Sequence, residues 1–206
     1  MPLPHSMPLI VLAECNVLPH ALLPLNIFEP RYREMLAHAL THDRFLCIGT
    51  AKTAGPGFDA EDDNIEPYSC AGLVRACVGQ SDGTSRLILQ GVRRIRFQTW
   101  IQREPFRVAS IQSVDSIVKE LSTAHELAQE VLAAARAKVL DSSPFSAEFD
   151  KQFGALTDPE VIADVIGYNF LPRASDRQPL LGMSLVEDRL AYLQEKLAST
   201  QTPDWS

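Results

Sequence analysis

The sequence predicts an α+β protein: a mostly antiparallel, barrel-like sheet with one early helix, followed by a bundle of helices. Three observations predict it. Apolar runs of strand length recur between turn signals as far as Val114, and one of those signals is the hairpin dipeptide Asp82-Gly83. Within that region a single stretch, Pro30 to Leu40, carries helical spacing. From Ser116 onward the apolar period becomes that of helices. The expected domains are therefore a β-rich part, 1–115, and a helical part, 116–206. Charge divides at the same place, with 11 lysines and arginines against 12 acids before it and 8 against 14 after it.

In chain order, Met7 to Val17 holds an apolar run fit for a buried strand. Leu25 to Phe28 is a second strand, which Pro24 and Pro30 are expected to bound, because proline cannot continue a central ladder. Pro30 then suits the first position of a helix, and Glu29 favours the positive end of its dipole. Tyr32, Leu36, Ala39 and Leu40 form that helix's apolar face. Arg44 to Thr50 is a further buried strand. Ala51 to Tyr68 is a long polar loop with an acidic cluster at Asp59, Glu61, Asp62, Asp63 and Glu66, expected to be solvated and mobile. Cys70 to Gln80 and Ser85 to Leu89 form a hairpin, and Gly91 is expected to break the second strand. Val92 to Ile101 and Phe106 to Val114 complete the sheet. Simple alternation along 92–97 places Arg93 with Ile95 and Phe97, and Arg94 with Arg96 on the other face.

In the helical part, Leu121, His125, Ala128, Leu132, Ala135 and Val139 line one face of a long helix, which Ser142-Ser143-Pro144 ends. Thr157 or Asp158 caps a helix that begins at Pro159 and buries Val161, Val165, Ile166 and Phe170. Leu171-Pro172-Arg173 stops it. Ser184 and Glu187 form a capping box for a last helix that packs Val186, Leu190, Leu193 and Leu197. Residues 200–206 read as a frayed tail.

The segment VLPHALLPLNIFEPRYREML resembles the signature of the Lon protease N-terminal domain family, whose usual form is close to V-L-F-P-G followed by L-P-L-R-I-F-E-P-R-Y. Pro19, Pro24, Leu25, Ile27, Phe28, Glu29, Pro30, Arg31 and Tyr32 stand at matching positions. His20 stands where glycine is usual, and Asn26 where arginine is usual. The Asp-Gly turn and the stretch after it resemble a further family region through Gly91 and Arg94, with Ile95 in place of the usual Phe. Leu185, Arg189, Leu190 and Leu193 resemble its last helix. The resemblance covers about residues 7–198. It implies a pseudo-barrel related to the PUA domain followed by a helical bundle, and residues that serve the fold or a recognition groove: Pro24, Phe28, Glu29, Pro30, Arg31, Tyr32, Gly91 and Arg94. It also makes Arg94 a candidate partner for Glu29.

The residues themselves point away from catalysis. There is no G-x-x-x-x-G-K-[ST] to cradle phosphate and no H-E-x-x-H, and the one G-x-S-x-G match, Gly79 to Gly83, falls on the Asp82-Gly83 hairpin turn and not on a strand-to-helix elbow. The ATPase and Ser–Lys protease modules that follow this domain in full-length Lon find no counterpart in the 206 residues. The expectation is a stand-alone, non-enzymatic chain without cofactor, catalytic residue or metal. His38 and His42, at i and i+4, are expected to be a solvated helix end. The acidic cluster lacks the glycine and distal glutamate of an EF-hand. Cys15, Cys47, Cys70 and Cys77 make no CxxC, and no apolar run approaches membrane-spanning length, so a reduced, cytoplasmic protein without membrane attachment is expected. Seven arginines between 75 and 107 face only Asp82 and Glu104, which raises RNA binding through a PUA-like sheet. Net charge of −7 and the spread of those arginines over both faces oppose it and favour structural salt bridges. A small-molecule or hydrolytic pocket is the other alternative. The favoured function is recognition of exposed apolar segments of other polypeptides, by a groove or by strand addition, with a separate protease or chaperone as a further candidate partner.

Overall fold

The computed structural model describes residues 2–55, 57, 61–140 and 146–199. Asp59, the Ser142-Ser143-Pro144 break and the tail 200–206 lie outside them. Contacts divide the chain into two compact units, Met1–Asp115 and Ser116–Ser206.

The first unit is a ring of strands. β1 (Ser6–Ala13) lies parallel to β3 (Phe45–Ala51) and antiparallel to β6 (Arg107–Ser113). β4 (Tyr68–Gly79) joins β3 to β5 (Ser85–Gln102), and β5 pairs with β6 to complete the circuit. β2 (Leu22–Ile27) pairs with β5 alone. The 18-residue β5 makes this possible. Its first half takes β2 and its second half takes β6 along one edge, while β4 runs along the other. The parallel β1–β3 pair needs a crossover, supplied by β2 and the helix α1 (Pro30–Thr41).

Two apolar layers result. Met7, Leu9, Val11, Phe45, Cys47, Ile95 and Ala109 cluster in the ring interior. Helix α1 buries Tyr32, Met35, Leu36 and Ala39 and packs against β1, β2 and β3. All seven residues of β3 are buried, which explains its unbroken apolar run. Burial in that interior pushes the Cys47 thiol far above its usual range.

Four expectations are corrected here. Pro24 lies inside β2, which an edge strand tolerates because its open side needs no donor from the ring nitrogen. Gly91 does not break the strand: β5 runs through it. Arg94 and Ile95 are both buried while Arg93 and Arg96 are exposed, so burial here does not follow two-residue alternation: residues 93–96 pair in regular register with 71–68, and both faces of β5 are covered at 94 and 95. The described part of the acidic loop is fastened. A short 3-10 turn at Asp62–Asn64 leads to buried Ile65, which bridges Ala51.

The second unit has five helices among its described residues: α2 (Leu121–Leu140), α3 (Ser146–Phe153), α4 (Pro159–Phe170), α5 (Ala174–Gly182) and α6 (Val186–Ser199). α2 packs on α6, α4 and α3. Its buried stripe is Ala124, Ala128, Val131, Ala135 and Val139, so Leu121 and His125 lie off it, exposed. Small residues on that stripe let the neighbouring helices approach closely. Asp158 caps α4, accepting from the N–H groups of Glu160 and Val161. Ile162, Ile166 and Phe170 are buried on α4, with Val161 and Val165 half-buried. On α6 the buried apolar face is Val186, Leu190, Leu193 and Leu197.

Two polar features hold this bundle. Arg189 and Asp164 form a fully buried ion pair at 3.3 Å between α6 and α4, and Arg189 also donates to Ser116 Oγ at 2.7 Å. Leaving either charge alone in that interior would be costly. The Glu187 carboxylate, expected to close a box with Ser184, instead accepts from the backbone N–H groups of Lys119 and Glu120 at 2.8 Å each. It thereby caps the start of α2. Ile117 bridges Leu185, which brings the approaches to α2 and α6 side by side.

Candidate functional site

The motif of residues 24–32 turns from an edge strand into a helix, and its side chains divide between two tasks. Leu23, Leu25 and Ile27 turn inward from β2, while Leu22, Pro24 and Asn26 are exposed, as a two-residue period requires. Phe28 continues the outer set and is 61 % exposed. Glu29 is the N-cap residue of α1, with no side-chain cap bond, and Pro30 follows at the first helical position. The Glu29 carboxylate, the expected partner of Arg94, is bonded by Arg31 through Nε at 3.0 Å and Nη2 at 2.8 Å. That guanidinium also lies over the Tyr32 ring, 4.5 Å from its centroid. Tyr32 is buried, and its hydroxyl accepts from the Val11 N–H at 3.1 Å and donates to the Val11 carbonyl at 3.2 Å.

Gly91 and Arg94 lie elsewhere. The segment 17–21 crosses β5 at Gly91, which donates to the Ala21 carbonyl and accepts from the His20 N–H, both at 2.9 Å. A methyl group at Gly91 would collide with the Leu18 carbonyl oxygen. His20 has φ of +66°, in the left-handed region that glycine adopts without strain, so the glycine usual at this position has a backbone reason. Arg94 is 1 % exposed within β5. The motif residues therefore do not converge on one centre.

Among the concave surfaces of the first unit, two carry features suited to a ligand. An open trough of about 420 Å³ runs between β2 and the β4–β5 hairpin, bounded by Pro24, Leu25, Val78 and Ile88. Val78 is 67 % exposed, and Leu22 and Phe28 extend the apolar surface along β2. Monomeric surfaces rarely gather large apolar side chains without a binding reason.

The second surface is a cleft of about 510 Å³ between Arg31, Tyr32, Arg103, Phe106 and Arg107. Asp62 reaches its rim. Its carboxylate accepts from Arg103 and from Arg107, and Arg107 lies 5.3 Å from the centroid of the Trp100 ring. Burial alone would push the Asp62 carboxyl up, but the hydrogen bonds and charges of the two arginines outweigh it and hold the group below the usual carboxylate range. A carboxylate held charged in this way is a poor proton donor. Nothing local in the sequence links Asp62 to arginines 41 and 45 positions later. The pairing depends on the β3–β4 connection lying beside the β5–β6 turn.

His38 and His42 are both exposed, with stacked rings 4.1 Å apart. Among the described residues no group of three or more His, Cys, Asp or Glu side chains is placed to hold a metal ion. None of the four cysteines is in a disulfide. Among the described residues no helix is long and apolar enough to cross a membrane.

The family model of the ATP-dependent protease La (LON) substrate-binding domain matches residues 6–199. Among curated proteins, the chain is 23% identical over 188 residues to a Lon protease of Dictyoglomus thermophilum, covering 91% of this chain and 24% of the relative. It is 23% identical over 199 residues to the Lon protease of Escherichia coli K12, covering 94% and 25%. The chain thus spans about a quarter of the length of these relatives. Among solved structures, the N-terminal domain of a Mycobacterium avium complex Lon protease superposes with a TM-score of 0.76 at 17% identity, covering 94% of this chain and 98% of that one. A Lon N-terminal domain protein from Xanthomonas campestris superposes with a TM-score of 0.65 at 18% identity, covering 95% and 98%.

Proposed function

The chain belongs to the family of the ATP-dependent protease La (LON) substrate-binding domain, and from that membership we propose that it is a non-catalytic module that recognises exposed apolar segments of other polypeptides. The observation that carries the proposal is the trough beside β2, where Val78 stands 67 % exposed, with Leu22 on β2 and Phe28 just beyond it 55 and 61 % exposed. An unfolded or partly exposed chain offers side chains that such a surface can take out of water, at roughly 25 cal/mol per Å² of apolar area.

The trough also favours one mode of capture over another. β2 ends the sheet, and an extended segment could in principle add to its open edge. Pro24, in the middle of that strand, has no N–H to give to an added strand, and proline on an edge opposes ladder extension. Side-chain capture along the trough is therefore the mode we assign. The partners are unfolded or partly exposed polypeptides, with a separate protease or chaperone to receive them, in a cytoplasmic setting that keeps the thiols reduced.

Titration of the native chain with a permanently unfolded, carboxymethylated polypeptide tests this at low and high salt. Apolar capture predicts micromolar binding that does not weaken as salt rises. Exposed Arg75, Arg93 and Arg96, with Arg86 from the trough itself, are the cations that competing nucleic-acid binding would use. Salt-sensitive binding of single-stranded RNA, without polypeptide binding, would replace this function by nucleic-acid recognition.

A further inference from the structure

We propose that the cleft between Arg31, Arg103 and Arg107 is a receptor for the C-terminal α-carboxylate of a polypeptide, and that Asp62, at its rim, engages two of these arginines as an internal stand-in. The carboxylate chemistry rests on the geometry of the cleft. The choice of a polypeptide as its bearer rests on the function proposed above.

The receptor is already assembled around a carboxylate. Asp62 Oδ2 accepts from Arg103 Nε at 3.1 Å and from Arg103 Nη2, and Oδ1 accepts from Arg107 Nη1. Each oxygen is thus held by its own guanidinium, Oδ2 by Arg103 and Oδ1 by Arg107, so charge-assisted hydrogen bonds already satisfy a carboxylate here. Arg107 is fixed in place. Its side chain is 9 % exposed, it stands at the first position of β6 opposite Leu9, and it lies over Trp100. Arg103, 59 % exposed, is free to follow a ligand. Phe106, at the edge of the same cleft, gives it an apolar side suited to the side chain next to a terminal carboxylate.

Asp62 is also built to leave. It belongs to the β3–β4 connection and not to the sheet. That connection has fastenings of its own: Ile65 bridges Ala51, Asn64 Oδ1 accepts from the Thr53 N–H and hydroxyl, and Lys52 Nζ donates to the Asp63 carbonyl. None of these uses the Asp62 side chain, so the carboxylate can swing away while the loop stem stays closed. The other charged groups around the cleft are Arg31, bonded to Glu29, and Glu104. With Asp62 displaced, three guanidiniums face two carboxylates, and one incoming carboxylate restores the balance.

Binding of an N-acetylated Ala-Leu-Leu peptide, as the free acid and as the C-terminal amide, tests the proposal by the NMR shift of the Trp100 indole N–H. The wild-type chain should bind the acid weakly and the amide not at all. Asp62→Asn should bind the acid about tenfold more tightly, and Arg103→Gln should lose it. Equal binding of acid and amide, or no gain in Asp62→Asn, would overturn the proposal. The wild-type acid-against-amide comparison stands even where a variant fails to fold. An absent acid preference with intact capture of unfolded polypeptide removes this inference alone. An acid preference without that capture removes the function proposed above and leaves the carboxylate receptor.

Discussion

Tyr32 shows how one motif side chain serves the fold. Its hydroxyl satisfies both backbone groups of Val11 on β1, on the side of the strand that α1 covers. Tyr32→Phe keeps the ring and orphans those groups, so it should cost about 1–3 kcal/mol in chemical denaturation of the first unit. Gly91 serves it differently, by lacking a side chain. Gly91→Ala drives a methyl group into the Leu18 carbonyl, and backbone cannot step aside as a flexible side chain can. It should cost more than about 2 kcal/mol by the same measurement, a large effect for a single methyl group. Gly91 looked like a strand breaker because its crossing partner, the 17–21 segment, is some 70 residues away in the chain. No local pattern reports such a close approach.

Among elements, the start of α2 depends on a carboxylate from α6. The Glu120 N–H foremost, with those of Glu187 and Lys119, holds the Glu187 carboxyl below its usual range against the opposing effect of burial. A lowered carboxyl pKa adds stability that is present above the unfolded value and is lost as pH falls through the folded one. Amide exchange at the start of α2 should therefore quicken below about pH 4. Glu187→Ala should cost about 1 kcal/mol at neutral pH, the usual worth of a cap, and should remove that part of the acid dependence. Ser184 and Glu187 had the spacing of a capping box. The carboxylate goes to α2 because Ile117 bridges Leu185 and sets the two helix starts side by side. The stripe on α2 was displaced for a related reason. The helix packs on α6, α4 and α3 together, and the alanines at 124, 128 and 135, small enough for close approach, take the contact that Leu121 was expected to make.

For the whole molecule, the α+β plan was legible because hairpin turns and the change of period at Ser116 are local signals. The LPLNIFEPRY core was legible because nine positions of a recognisable segment stand together. The circuit of strands was legible only at the β4–β5 hairpin, which Asp82-Gly83 announces, since the pairings of β5 with β2 and β6 are named by no residue in it. α3 and α5 also escaped sequence reading, being short, with Pro179 inside α5. Of the candidate surfaces, the apolar outer set along β2 follows from two-residue alternation once the strand is accepted. The Arg103–Asp62–Arg107 cluster becomes visible only when two distant connections meet. The central claim is that the apolar surface beside β2 holds other polypeptides, and its most direct measurement is the affinity of the native chain for a carboxymethylated, unfolded polypeptide, with and without the paired changes Phe28→Ser and Val78→Ser. The account predicts micromolar binding that the double variant, folded like the parent by circular dichroism, weakens at least about tenfold. Undiminished binding by that variant, or none by the native chain, would contradict it.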